Sequence, residues 1–233
     1  MYVNTAFLHN NMQPVEDTNA PLIVTAGGFY RFDGNLLKTQ RPKGRPDYQF
    51  FYISVGKVHF TFQGKTVILS QGTAVLFRPN EPQIYFYPKE ERTEAYWIHF
   101  TGSDVEEILE NYQFFKGRNV FSLGVSQELR QKYDSVIHEL HLCRPLYKET
   151  CAVFLRQILL IAQRMLQENT QHSTALQSLN DIEQATQYFT KNYNKSINIE
   201  AYAKSINMST CWFIRRFKEI VKVTPCNISL RFV

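Results

Sequence analysis

The sequence is poor in the features that mark disulfide-rich, zinc-binding and membrane-spanning proteins. It has four cysteines among 233 residues, and no two of them form a Cys-x-x-Cys pair, which argues against a disulfide framework or a cysteine-ligated zinc site. No apolar run approaches the roughly 20 residues of a membrane helix. Polar residues occupy the N-terminus, where a signal peptide needs an apolar stretch. We therefore expect a soluble, cytoplasmic protein with reduced cysteines and no membrane partner.

Groups that could perform catalysis are also scarce. The chain has six histidines but no His-x-His pair, and His138 and His141 lie three positions apart, whereas a zinc-protease helix needs four. There is no glycine-rich phosphate loop and no pattern that places a nucleophile beside a base. His99 is interpreted as a packed or hydrogen-bonded strand residue rather than a metal ligand. The sequence therefore predicts no metal, no cofactor and no enzymatic activity.

What the sequence does contain is apolar material for a large core and a basic C-terminal part. With 44% hydrophobic and 14% aromatic residues, the chain predicts one large domain or two modest ones. The net charge of the chain is +5. The part from Leu179 onward contains eight Lys and Arg residues and four Asp and Glu residues, so it contributes +4 to this net charge. Such a concentration of positive charge favours contact with nucleic-acid phosphates.

The stretch from Leu22 to Gly102 is typical of β structure. Short segments rich in aromatic and β-branched residues alternate with turn signals such as Gly56-Lys57 and Gln63-Gly64-Lys65. Many short strands at this spacing predict a barrel or a jelly roll. We predict strands over 48–55, 58–62, 66–69, 74–79, 84–87 and 94–100.

After Gly102 the apolar period changes to that of helices. The pattern predicts a helix capped by Asp104 and ending at Tyr112, a second over 126–142 and a third over 150–166. Their apolar stripes exceed what one barrel face would cover, so we expect a homodimer through these helices. The polar stretch 167–178 has few core residues and is interpreted as an interdomain linker. The predicted inward positions are Leu129, Tyr133, Val136, Ile137 and Leu140, then Val153, Phe154, Ile158, Ile161 and Met165.

The last part of the chain predicts two helices joined by a tight turn. A first helix over 199–206, with Ala201, Tyr202 and Ile206 inward, is followed by a second helix that Ser209 can cap. Phe213 and Phe217 fall at i and i+4 and so face the first helix. This arrangement predicts a helix-turn-helix that could enter a DNA major groove. The alternative is that the two helices belong to an unrelated all-α module and expose a basic face to solvent. The second helix then has four outward residues: Cys211, Ile214, Arg215 and Lys218.

The ordered residues Ile182, Ala185, Tyr188-Phe189, Asn192-Tyr193, Ile197-Asn198-Ile199-Glu200, Ala203, Met208-Ser209, Phe213, Arg215, Phe217-Lys218 and Thr224-Pro225 carry a family resemblance. They resemble the first half of the DNA-binding domain of AraC/XylS-type transcription regulators. The resemblance implies that DNA is the partner, with contacts from Ser209, Thr210, Cys211, Ile214, Arg215 and Lys218. Lys222 stands where the family usually has a glycine. A second helix-turn-helix should follow Pro225, so the sequence predicts a truncated DNA-binding domain.

A second set of residues resembles the cupin-like effector domain of the same family. It comprises Gly56-Lys57, Gly64-Lys65, Gln71-Gly72-Thr73, Phe77-Arg78-Pro79, Pro82, Tyr85 and 96–102. The resemblance places the effector inside the barrel and implies Arg41, Tyr85 and Trp97 as its contacts, with Ala95 in the position of a pocket histidine of sugar-responsive members. Independently of kinship, an indole face suits the C–H side of a sugar, and a guanidinium offers fixed donors. The alternative is that Tyr85 and Trp97 are ordinary core residues of the barrel and that Arg41 is a charged residue of a loop.

Together these observations predict an α+β protein with an N-terminal cupin-like β-barrel, a helical dimerisation region and a small, truncated, all-α helix-turn-helix domain. The expected division is 1–166 for the effector-binding and dimerisation domain, 167–178 for the linker and 179–233 for the partial DNA-binding domain. We expect a homodimeric transcription activator that responds to a carbohydrate or another small polar metabolite, with RNA polymerase as a further partner. Two alternatives stay open: a truncated regulator that dimerises and binds effector but lacks specific DNA binding, and a cupin enzyme.

Overall fold

The chain forms two compact units, Met1–Gln167 and Glu168–Val233. The first is rich in β structure and carries helices, and the second is helical, which confirms the predicted α+β class. Tyr193, Ile197 and the tail beyond Asn227, which the sequence analysis used, lie outside the described residues. The computed structural model describes residues 1–8, 19–32, 37–88, 90–192 and 198–227, and only the backbone of 171–178.

Two antiparallel sheets form the N-terminal barrel. A six-stranded sheet has the order β1-β2-β9-β4-β7-β10, and a four-stranded sheet has the order β3-β8-β5-β6. The six strands predicted from the sequence correspond to β4 to β9. Strands β2 and β3 had no individual prediction, and β1 and β10, the edge strands of the larger sheet, were not predicted either. The strands are β1 Tyr2–Phe7, β2 Ile23–Phe32, β3 Leu37–Arg41, β4 Tyr48–Val55, β5 Lys57–Phe62, β6 Lys65–Ser70, β7 Thr73–Phe77, β8 Gln83–Tyr87, β9 Thr93–Thr101 and β10 Val120–Ser122.

Strand β4 shows why this sequence makes a two-sided sheet. Phe50 and Tyr52 belong to the buried cluster that includes the helices, whereas Phe51 and Ile53 belong to the cluster inside the barrel. Successive side chains of a strand point to opposite faces, so a continuous apolar run serves a sheet that is covered on both sides. The strand ends where Gly56 takes a φ of 77°, a conformation that glycine adopts without steric cost.

Three helices follow strand β9, with β10 between the first two: α1 Val105–Asn111, α2 Gln127–Leu142 and α3 Tyr147–Lys191. The predicted stripe of α2, from Leu129 to Leu140, is fully buried against the larger sheet and α3. The Ser126 hydroxyl caps α2 by accepting a hydrogen bond from Leu129 N at 3.1 Å. Asp104 precedes α1 as expected, but its side chain makes no capping bond and instead accepts one from the Ser103 hydroxyl.

Helix α3 is longer than predicted and differs from the expected pattern in two respects. Its backbone is helical through 167–178, where the composition predicts a linker, and the domain boundaries themselves stay a prediction. Val153 was expected inward but is 52% exposed. The helical period places Cys151, Leu155, Ile158 and Leu159 on the buried side instead, so Val153 points outward with Leu160.

The C-terminal unit has a small core of its own. Helices α4 Ile199–Ser205 and α5 Thr210–Val221 are followed by a 3-10 turn at Pro225–Asn227. Ala201 is exposed, so its predicted inward position was wrong, and Ala203 is buried in its place. Ile199, Tyr202, Ala203 and Ile206 form the inward stripe at helical spacing, and Ala201 falls outside it. Among the helices described, none combines the length and the apolar character that a membrane crossing needs.

Candidate functional site

The barrel interior between the two sheets is lined by large aromatic side chains. Trp97 on β9, Phe51 on β4 and Tyr85 on β8 all belong to this cluster. The register pairs Trp97 with Phe51, and Phe60 with Tyr85, so one belt of rings runs around the interior. Since aromatic faces pack against the C–H faces of ligands, this belt provides an apolar wall for a small molecule.

Trp97 is held in place by an unusually close backbone approach. A Cβ added to Gly28, its neighbour across the strands, would lie 2.4 Å from the indole ring. The ring is 5.7 Å from Tyr30 and 6.4 Å from Phe7, measured between centroids. Its N–H interacts with the Tyr30 hydroxyl and slightly lowers the pKa of that phenol against the larger effect of burial, but it makes no hydrogen bond of standard geometry in the described structure. Trp97 therefore presents a ring face and a donor that no well-formed hydrogen bond occupies.

Phenol groups extend the belt towards the second sheet. Burial, and then the nearby Tyr85, raise the pKa of Tyr30 to about 12, against smaller opposing effects of Arg41 and Trp97. Burial also raises the pKa of Tyr87, and its hydroxyl has no hydrogen-bond partner among the described residues. These phenols are therefore neutral hydrogen-bonding groups at neutral pH.

A polar layer lies two residues beyond the belt. His99 follows Trp97 by two residues on β9, and Gln83 precedes Tyr85 by two residues on β8. The side chains of His99 and Gln83 therefore point to the same face as the rings. The Arg41 Nη1 donates to Gln83 Oε1 at 2.7 Å. Gln83 Nε2 and Gln49 Oε1 are buried and have no partner in the described structure. Buried polar atoms are normally paired, so this layer has hydrogen-bonding capacity to spare.

The charges around the layer are not balanced. Arg45 makes a bidentate pair with Asp47, with both N···O distances at 2.7 Å, while His99 Nδ1 lies 3.4 Å from Asp47 Oδ1. Burial raises the pKa of Asp47, but the hydrogen bonds from Arg45 and the close approach of His99 outweigh it and hold that pKa at about 2. For His99, burial lowers the pKa despite Asp47. Arg41 is the other cation of this layer, and it donates a hydrogen bond to the amide of Gln83 and not to a carboxylate.

A cavity of about 240 Å³ lies at this end of the barrel. Phe62 and Phe77, two of its lining residues, pack against the interior cluster. Pro82, a third, directly precedes Gln83 of the polar layer. The cavity therefore reaches the barrel surface next to the polar layer.

The three residues predicted as effector contacts occupy different depths. Trp97 and Tyr85 are 5% and 4% exposed and lie in the aromatic belt, and Arg41 is half-buried at the end of β3. Tyr85 is packed by Phe51, Phe60 and Phe77. The sequence analysis did not identify Gln49 and Gln83. The available signal was a polar residue two positions before a buried aromatic one on the same strand.

In the C-terminal unit, two capping residues fix the starts of α4 and α5. Asn198 Oδ1 accepts a hydrogen bond from Ala201 N at 2.9 Å, and Ser209 Oγ accepts one from Trp212 N at 3.4 Å. Phe213 and Phe217 are fully buried, as predicted. Ser209 therefore acts as a helix cap in addition to its predicted DNA contact.

The outer side of α5 is only partly as predicted. Cys211, Arg215 and Lys218 are exposed on one side, and no ion pair among the described residues involves the last two. Thr210 is half-buried at the first position of the helix. Ile214 was expected to face outward, but it is half-buried and packs against the small core. Its apolar side chain is thereby removed from water, which an outward position would not achieve.

No group of three or more His, Cys, Asp and Glu side chains within the described ranges could hold a metal ion. The site contains instead an aromatic wall, a cation without a carboxylate partner and two amide atoms, Gln83 Nε2 and Gln49 Oε1, without a hydrogen-bond partner in the described structure. These groups can bind and orient a small polar molecule.

Known structures show weak overall similarity to this chain. A lysine-to-alanine variant of apo ToxT from Vibrio cholerae is 11% identical with a TM-score of 0.36, and the match covers 92% of this chain and 99% of that one. ToxT from the same organism bound to (E)-4-(8-methylnaphthalen-1-yl)but-3-enoic acid is 12% identical with a TM-score of 0.38, covering 88% and 98%. A cupin 2 conserved barrel domain protein from Salinispora arenicola is 16% identical with a TM-score of 0.28, covering 38% and 70%.

A search of curated proteins finds no significant match. Among protein families, the one described as AraC-like ligand binding domain matches residues 27–179, about two thirds of the chain. That range begins in β2, contains the aromatic belt and the polar layer, and ends within α3. The chain therefore belongs to the family of proteins with an AraC-like ligand-binding domain.

Proposed function

We propose that this protein is a ligand-responsive transcription regulator, and not an enzyme, in which the barrel binds a small polar effector and α5 contacts DNA. The observation that carries the proposal is the set of unpaired polar atoms beside Trp97 inside a barrel of the AraC-like ligand-binding family. Two short capped helices, α4 and α5, lie in the same chain, and Arg215 and Lys218 of α5 are exposed; they support a helix-turn-helix. Sensing and DNA contact are thus both supported by named side chains.

The effector we propose is a carbohydrate or a similar polyhydroxylated metabolite. The indole of Trp97 offers a face for C–H groups, and its N–H offers a donor. Arg41, Gln83 and Gln49 add donors and acceptors on one side of that ring. A ligand that satisfies several of these groups at once removes the cost of leaving them unpaired.

Effector binding can be measured with Trp97 as an internal reporter. The chain has two tryptophans, so Trp212→Phe leaves Trp97 as the single tryptophan. Sugars and sugar acids are titrated into this variant while Trp97 fluorescence and thermal unfolding are recorded. A saturable fluorescence change with a rise in Tm supports the proposal. Ligands that raise Tm equally in the Trp97→Ala protein would place their site elsewhere.

The DNA contact is proposed for the exposed side of α5. Arg215 and Lys218 are one turn apart on that side, whereas Arg216 is ion-paired with Glu219 at 2.9 Å. Arg215→Ala should weaken binding to the DNA upstream of the gene at least about tenfold, the loss of one good base or phosphate contact. Arg216→Ala is the matched control and should change binding little. Equal losses in both variants would show that net charge alone is responsible.

A homodimer is proposed through exposed apolar residues of α2, α3 and the turn between them. Leu142, Leu146, Val153 and Leu160 are between 39% and 73% exposed. Exposed apolar side chains favour association where they form a patch. We further propose that effector binding shifts the protein between two arrangements, with the N-terminal strand involved because Phe7 packs near Trp97. Sedimentation with and without effector tests both points.

A further inference from the structure

A second cavity lies in the N-terminal unit, away from the residues of the barrel interior. Its volume is about 400 Å³, within the range of small-molecule sites. One wall is the segment from Ala20 to Ile23, and the other is a side of α3 that carries Lys148, Ala152 and Arg156. These three residues are spaced at i, i+4 and i+8 and therefore line one side of the helix.

Both walls of this cavity are anchored to the rest of the unit. The carbonyl oxygens of Ala20 and Pro21 accept hydrogen bonds from Ser103 N at 2.9 Å and Asp104 N at 3.1 Å. Leu22 is buried in the main core. On the other side, Cys151 and Leu155 hold α3 against the same core. These contacts attach the backbone of both walls to the packed core of the unit.

The lining combines an apolar floor with an excess of positive charge. Leu22, Ile23 and Ala152 supply the apolar part. Lys148 and Arg156 supply two cations against the single carboxylate of Glu149, and none of these three charged groups forms an ion pair with a described residue. Arg156 is half-buried, so its charge is less screened than that of a fully exposed side chain.

We infer that this cavity is a second ligand site, separate from the barrel interior, for a small carboxylate with a short apolar body. The guanidinium of Arg156 binds the carboxylate, with Lys148 adding charge at the entrance. The apolar body lies against Leu22, Ile23 and Ala152. The inference does not depend on the effector proposed for the barrel.

The probe is hexanoate, with hexan-1-ol as its neutral counterpart, titrated into the full chain by ligand-detected NMR and calorimetry. Wild type should bind hexanoate at millimolar concentration and hexan-1-ol at least about tenfold more weakly. Arg156→Gln should reduce hexanoate affinity about tenfold, and Ala152→Leu, which fills the cavity, should reduce it without a change in charge. Arg164→Gln removes a cation further along α3 and should leave affinity unchanged.

Four results would overturn the inference. They are the absence of hexanoate binding to wild type, equal binding of hexan-1-ol, equal losses in Arg156→Gln and Arg164→Gln, and unchanged affinity in a folded Ala152→Leu protein. The Trp97→Ala variant separates the two sites. Loss of hexanoate binding in that variant, with retention in Arg156→Gln, would place the carboxylate in the barrel and also overturn the inference.

Discussion

The end of α5 offers a direct test of the energetic reasoning, because a lysine occupies a position suited to glycine. Lys222 follows the helix with φ 67° and ψ 3°, and its N–H donates to Lys218 O at 3.0 Å. A left-handed conformation costs a residue with a Cβ about 1–2 kcal/mol. Glycine avoids that cost but loses more conformational freedom on folding, and this loss offsets about 0.4–1 kcal/mol of the stabilisation. We therefore expect Lys222→Gly to stabilise the C-terminal unit by about 0.5–1 kcal/mol relative to Lys222→Ala.

Lys222→Ala is the appropriate reference because it removes the same charge from the helix end but keeps the Cβ. Any favourable interaction of the lysine with the helix dipole is then lost in both variants. Urea unfolding is followed in a Trp97→Phe background, where Trp212 of α5 is the single tryptophan and reports on this unit. If Lys222→Gly were no more stable than Lys222→Ala, the left-handed conformation would not carry the cost we assign to it.

Three further predictions concern the N-terminal unit. Gly28→Ala should destabilise it by about 1–3 kcal/mol and shift the Trp97 fluorescence, since the added methyl would meet the indole. The pKa of Asp47 is about 2 against an ordinary 3.8, so its contribution of about 2 kcal/mol is fully present above pH ~4 and is lost as pH falls towards 2. Asp47→Asn should lack that pH-dependent loss in urea titrations. Val153→Glu with Leu160→Glu should convert a dimer to a monomer by sedimentation.

Matched controls exist for two of these predictions. A Cβ added to Gly27 would meet α2 side chains at 3.5 Å, an ordinary van der Waals distance. Gly27→Ala should therefore destabilise less than Gly28→Ala, and a reversal of that order would contradict the close approach of the indole. Arg164→Glu introduces a glutamate at an exposed polar position of α3 and should leave the dimer intact. A wild type that sediments as a monomer would remove the basis of the dimer prediction.

Strands β4 to β9 could be predicted from the sequence because local signals were sufficient there. The turns contain Gly56 and Gly64, both with φ 77°, a conformation that glycine adopts without steric cost. Strand β1 was missed since its sequence YVNTAF has little apolar alternation. It is an edge strand paired with β2 alone, and tertiary pairing rather than local pattern determines it.

The helices illustrate where periodicity fails. The pattern on α2 was correct because its buried residues fall on a single stripe. On α3, Val153 fits an apolar period but lies outside the buried side, which Cys151 and Leu155 define. An apolar residue at the border of a stripe can face either core or solvent, and only the packing partner decides between them.

The sequence suggested only some residues of the candidate site. Trp97, Tyr85 and Arg41 were predicted through the family resemblance and stay predictions as effector contacts, whereas Gln49 and Gln83 have no distinctive local signal. What identifies them is burial without a partner, which exists only once the strands are assembled. Sequence reasoning reaches such groups only through knowledge of the register, since a shift of one residue would turn them to the other face.

The buried glutamines are difficult to explain by stability alone. A buried oxygen without a donor, such as Gln49 Oε1, costs about 1–3 kcal/mol, and leucine would fill a similar volume without that cost. Gln49→Leu should therefore stabilise the ligand-free protein by about 1 kcal/mol in urea unfolding while it weakens effector binding. Higher stability combined with weaker effector binding is the informative result. Replacement of a purely structural glutamine would instead lower stability and leave effector binding unchanged. A destabilised Gln49→Leu protein with full effector affinity would remove Gln49 from the proposed site.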